Sequence, residues 1–153
     1  MDPTIYGTGV NPQVIPFGAV VEISFNNHDT RAHPFHLHGH NFQVVARYGN
    51  GPNFPDSPYY PAVSMRRDVI LVHPQGAATI RYIADRPGVN LFHCHVEWHV
   101  EAGMTATFIR APDLLQKQKI YTLNSHKQVC KAFGNTLMKG NAGGKSKNWY
   151  DLS

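Results

Sequence analysis

Six short stretches of this chain alternate apolar and polar side chains with a period of two, and a turn signal cuts each one short. The clearest is VIPFGAVVEISFN (14–26), where Val20, Glu22 and Ser24 oppose Val21, Ile23 and Phe25. Similar runs cover 42–47, 68–73, 78–84, 89–93 and 105–110. Between them stand Tyr48-Gly49-Asn50-Gly51-Pro52, His73-Pro74-Gln75-Gly76 and Asp85-Arg86-Pro87-Gly88. Half-buried strands read this way, and Gly and Pro punctuate the chain too often for long helices. The expected fold is therefore an all-β, antiparallel sandwich or barrel. A helical bundle is excluded, and 153 residues provide for one domain. The Pro-rich stretch 53–61 reads as a long loop, and 113–115 and 125–133 as short surface helices.

Charge divides the chain. All seven lysines follow residue 116, so the last 40 residues carry a net +6 while the first 113 carry −2. The lysines are scattered among Gly and Asn with no dense run or aromatic platform, which reads as a solvated tail with no nucleic-acid partner. No run approaches the roughly 20 apolar residues of a membrane-spanning helix. The start, Met1-Asp2-Pro3-Thr4, lacks the basic and apolar regions of a signal peptide.

Ten histidines stand against two cysteines. Two thiols cannot staple a disulfide scaffold, whereas imidazole is the commonest metal-ligating side chain. The histidines cluster twice. In HPFHLHGH (33–40), His36 and His38 share one face of an extended backbone, with His33 one irregular step away. In HCHVEWHVEAGM (93–104), His93 and His95 share a face and Cys94 points the other way. Cys94, His99 and Met104 then recur at steps of five, a loop spacing able to converge on one point. Two imidazoles, a thiolate and a distant thioether form the trigonal set that selects copper for electron transfer. Zinc competes for His and Cys, but it does not seek a thioether. The His-x-His-x-Asp-His pattern of binuclear zinc hydrolases also fails, because Gly39-His40 after His38 supplies no Asp. His28, His73 and His126 read as ordinary surface or hydrogen-bonded histidines, and His40 as a support or turn residue outside the metal set.

The pair HPFHLHGH and HCHVEWHVEAGM resembles the C-terminal, third cupredoxin domain of multicopper oxidases, the family of laccases, ascorbate oxidases and fungal ferroxidases, over roughly residues 10 to 112. The resemblance implies a cupredoxin-like Greek-key sandwich or barrel over 1–112, with short helices in the ligand loop and in a basic extension over 113–153. It implies that His33, Cys94, His99 and Met104 hold a mononuclear blue (type 1) copper. His36 then binds the type 2 copper, and His38, His93 and His95 bind the type 3 pair of a trinuclear cluster. Asn26-Asn27-His28-Asp29-Thr30, together with Glu97-Trp98, is similar to fungal iron-transport ferroxidases and related laccases. Asp29 matches a carboxylate that helps bind Fe(II) and pass its electron on; a turn-forming residue before a strand fits it equally. Glu97 matches a proton-delivery acid, against the alternative of a plain exposed carboxylate.

The activity so implied is one-electron oxidation of a phenolic or Fe(II) donor coupled to four-electron reduction of O2 to water. Met104 stands where ferroxidases often carry Leu or Phe, which implies a lower potential. The cluster in that family takes half of its eight histidines from an N-terminal domain, and this chain has no second pair of His-x-His motifs. The chain is therefore expected to belong to a longer oxidase or to assemble with a partner chain, and Cys130, without a mate here, to bridge to another domain. The resemblance implies an extracellular or cell-surface setting. A non-enzymatic electron-transfer module using the blue site alone is the alternative.

Overall fold

A computed structural model describes residues 11–49, 60–118 and 123–132, the side chains of residues 130 and 131 excepted. The predicted loop at 53–61, apart from Tyr60 and Pro61, lies outside the described residues, as do the side chain of Cys130 and most of the basic extension. Among the described residues, nine strands form two sheets: β1 Pro12–Ile15, β2 Val20–Asn26, β3 His33–Leu37, β4 Phe42–Tyr48, β5 Arg66–Arg67, β6 Val69–Val72, β7 Ala77–Ile83, β8 Gly88–Cys94 and β9 Thr105–Arg110. Three short helices accompany them, α1 Glu97–Glu101, α2 Pro112–Lys117 and α3 Asn124–Ala132. One sheet runs β1-β9-β8-β3-β6, the other β2-β7-β4-β5.

The run 14–26 is not one strand. Its first part, β1, lies beside β9, while its second, β2, pairs with β7 in the opposite sheet. Pro16 has no N–H to continue a ladder, and Gly18 takes the left-handed conformation (φ 74°), so the chain turns and changes sheets there. One pairing also departs from the antiparallel expectation: β1 and β9 run parallel, Pro12 opposite Thr107. A strand that leaves for the other sheet and is met again only at the last strand has no tight turn forcing reversal.

Leu37, Phe42, Ile70, Val72, Ile80 and Phe92 fill the space between the sheets. Phe25, Phe35, Phe92 and Phe108 form an aromatic column, with successive ring centroids 5.1, 5.4 and 5.7 Å apart. These are favourable tilted and offset separations. The column fixes the inner face of β8, and Cys94 is the next inward residue after Phe92, fully buried. No helix among the described residues is long and apolar enough to cross a membrane.

Candidate metal centre

Strand parity sorts the histidines. β3 and β8 pair antiparallel, with Phe35 opposite Cys94 and His36 opposite His93. Phe35 and Cys94 therefore face inward, whereas His36 and His93 face outward. The expected irregular step at His33 is absent: it lies in regular strand, paired with Val72, and being three positions from His36 it takes the opposite, inner face.

On the inner side, His33 and Cys94 are buried. The Sγ of Cys94 lies 3.7 Å from His33 Nδ1 and 3.4 Å from His99 Nδ1, and the three donor atoms all lie within 4.8 Å of one another. His99 arrives on α1, a helix with Val96 as its N-cap, where Val96 O accepts from His99 N. Met104 is tied to both neighbours through its backbone: its N–H donates to His99 O (2.8 Å), and its carbonyl accepts from Cys94 N (3.1 Å). Met104 also lines a cavity of about 260 Å³, together with His33, Phe35 and Asp29. His28, expected to be an ordinary surface residue, lines the same cavity.

Asp29 joins this site. Its Oδ2 accepts from His33 Nε2 at 3.1 Å. A carboxylate only accepts, so Nε2 carries the proton, and the lone pair on Nδ1 is turned toward the sulfur. Donation from His33 holds the Asp29 carboxyl below its usual range, opposed in part by desolvation and reinforced by backbone N–H groups of Thr30 and Arg31. The two readings of Asp29 are compatible, because Oδ1 accepts from Arg31 N as a turn residue does while Oδ2 holds the imidazole. Beneath the turn, Asn27 Nδ2 donates to Arg31 O and His73 O, and Asn27 Oδ1 accepts from Asp29 N.

On the outer side, four imidazoles converge. Ring centroids are 4.5 Å apart for His36 and His38, 5.0 Å for His38 and His93, 5.7 Å for His93 and His95, and 5.9 Å for His36 and His95. The Nε2 atoms of His38 and His93 are 2.9 Å apart. His36 Nδ1 donates to Asp68 O and His93 Nδ1 to Cys94 O, which puts the lone pair of each ring on Nε2, that of His93 accepting from His38 Nε2 in the absence of metal. Burial, then the neighbouring His36, His93 and His95, press the His38 pKa down and keep its ring neutral. Glu97 is exposed at the start of α1, with no ion pair among the described residues. His126 is exposed on α3, and His73 is half-buried with its pKa lowered by burial and by Arg47.

His40 lies outside both clusters. It is buried, hydrogen-bonded to Arg110 and to Asp85. Sequence reasoning gave no role to Asn27, Asp68 or Arg110. Asp68 acts through a backbone carbonyl, which no residue type reveals, and an arginine closing a strand ordinarily reads as an exposed edge charge.

Two facing sheets with a His, Cys, His set at one end, His33 and Cys94 buried and His99 half-buried, define a cupredoxin-type domain, and a sulfur ligand beside two imidazoles suits copper. A multicopper oxidase profile matches residues 2–114. The chain is 44% identical to the iron transport multicopper oxidase fetC of Epichloe festucae, over 99% of its own length and 25% of that protein. It is 38% identical to the iron transport multicopper oxidase FET5 of Saccharomyces cerevisiae, over 99% of its length and 27% of that protein. Its fold matches the crystal structure of Fet3p, a multicopper oxidase that functions in iron import, with TM-score 0.75 and 35% identity, covering 99% of this chain and 30% of that one. A point mutant of the laccase from B. aclada matches with TM-score 0.57 and 25% identity, over 84% of this chain and 25% of that one. The chain belongs to the multicopper oxidase family. It spans about a quarter of the length of the curated relatives it matches.

Proposed function

We propose that this chain is the copper-carrying domain of an oxidase that takes single electrons from Fe(II) or a phenolic donor and reduces O2 to water. His33, Cys94 and His99, with Met104 beside them, would hold the type 1 copper. His36 would serve the type 2 copper, and His38, His93 and His95 the type 3 pair, with the remaining ligands supplied by further domains or a partner chain. The cupredoxin unit ends near residue 112, and 113–153 is a basic extension. The relatives' role in iron transport favours an extracellular or cell-surface setting and Fe(II) as the donor.

One observation carries this reading: Cys94 faces one donor set while His93 and His95, its covalent neighbours, face the other. Copper in these two settings supplies one-electron redox chemistry on the inner face and dioxygen chemistry on the outer one. The chain's own part is to bring the two within a few covalent bonds, so that electrons have a short path along the backbone on either side of Cys94. The buried Cys94 thiol is shielded from water and from direct oxidation by dioxygen. Asp29 offers a hard oxygen to Fe(II) beside the 260 Å³ cavity and bonds directly to His33. Glu97, two residues beyond His95 and open to solvent, delivers protons. The four outer imidazoles have no use in an electron-transfer module built on the inner site alone.

Purified in the presence of copper, the chain should show an intense blue thiolate band and bind copper beyond one equivalent. A colourless protein that retains zinc would overturn the proposal.

A further inference from the structure

Arg110 is the largest fully buried side chain among the described residues, 1% exposed, yet no step assigned above uses it. It closes β9 opposite Gly88, at the far end of β8 from Cys94. One arm of its guanidinium, Nη1, donates to His40 Nδ1, and the other, Nη2, to Asn90 Oδ1. Arginine has only donors, so His40 must accept at Nδ1 and carry its proton on Nε2, which donates to Asp85 Oδ1 at 3.1 Å. The result is a chain from guanidinium through imidazole to a carboxylate at the surface. Burying that cation has no apolar purpose, since a core position at a strand end would be filled better by Leu or Met.

Its geometry points at the turn carrying His38. Residues 38 to 40 reverse the chain through Gly39, at φ 76°. A Cβ on Gly39 would lie 2.8 Å from Arg110 Nη2 and 2.9 Å from Asn90 Nδ2, so the turn rests directly on the guanidinium. On its other side His38 N donates to Leu91 O at 2.9 Å. Two fixed supports thus bracket His38, whose Nε2 meets that of His93.

We infer that Arg110, with Asn90, His40 and Asp85, is a positioning network that holds the 38–40 turn, and so sets where the His38 imidazole stands against His93. Its importance for copper rests on the function proposed above; its effect on His38 does not. The inner site is at the other end of β8 and is untouched by it.

The test uses the full chain labelled with 15N-histidine, first without metal and then titrated with Cu(II). Arg110→Lys keeps the charge but cannot reach His40 and Asn90 together. It should move the side-chain resonances of His38 and His93 and leave those of His33 and His99 in place. In the titration it should keep the blue band and weaken copper binding beyond the first equivalent by about tenfold or more. Asp85→Asn, at an exposed carboxylate, should displace the same two resonances by less, and it reads the network even if Arg110→Lys fails to fold. Resonances of His33 and His99 moving as far as those of His38, or His38 unmoved in every variant that folds, would overturn the network. A wild-type chain that forms no blue copper site would instead reject the functional reading, and the metal-free spectra would still decide the positioning role.

Discussion

On the inner face of the five-stranded sheet, His33 is buried, its Nε2 proton is committed to Asp29, and Cys94 and His99 meet it within the same chain. On the outer face, His36, His38 and His93 are half-buried and His95 is exposed, and the four rings face one another, with His36 and His93 also tied through Nδ1 to the backbone carbonyls of Asp68 and Cys94. The same residue type is used twice, with opposite degrees of closure. A site enclosed by one fold has its geometry set when that fold forms, and its low dielectric strengthens each polar contact. A site left open on a sheet face is finished by whatever surface covers it. The inner centre is thus a property of the domain, and the outer one a property of an assembly.

The largest test of that contrast is Cys94→Ser, which should abolish the blue band completely while circular dichroism remains that of a β fold. Leu37→Ala should come next. Leu37 is fully buried between the outward His36 and His38, so removing it is expected to cost about 2–5 kcal/mol in denaturant unfolding and to loosen the outer cluster first. A third test concerns Tyr82, whose ring lies 5.1 Å from that of His40. Burial, opposed by Arg110, raises its pKa to about 12 from 10.0. A raised folded pKa in an acid that buries neutral means that stability is intact below pH 10 and falls as pH rises through 12. Tyr82→Phe should flatten this alkaline loss in unfolding measured against pH.

At the acid end the sign reverses. The Asp29 carboxyl is depressed below 3.8, so its stabilisation is present above that pH and is lost as pH falls through the lower folded value. Asp29→Asn should flatten the acid limb of the stability profile, and in the oxidase it should slow Fe(II) turnover more than phenol turnover. The smallest effect is expected from His36→Ala, which should leave the blue band in place. Its loss there would show that the two faces are not independent.

Much of this contrast is legible in the residues before any coordinates. The pairing of His36 with His38 and of His93 with His95, with Cys94 turned away, follows from the two-residue period of a strand alone. The position of His33 follows from the same rule once β3 is seen to be regular, but the Pro at 34 argues for a break there. Pro34 is tolerated because it needs no N–H in this pairing and its carbonyl accepts from His95 N at 2.6 Å. The sheet change at Pro16 and the parallel β1–β9 pair depend on contacts between distant parts of the chain, which local periodicity does not encode. Arg110 is hidden for a related reason: only the fold shows that Gly39, Asn90 and His40 surround it.

The alternation along β8 also governs which kinds of inherited change this region tolerates. Exchanging one side chain for another leaves every neighbour on its own side. Adding or removing a single residue between Phe92 and His95 would turn the thiol to the outer face and an imidazole to the inner one, undoing both centres at once. Length variation among descendants of this gene should therefore gather in the turns and be absent from this strand.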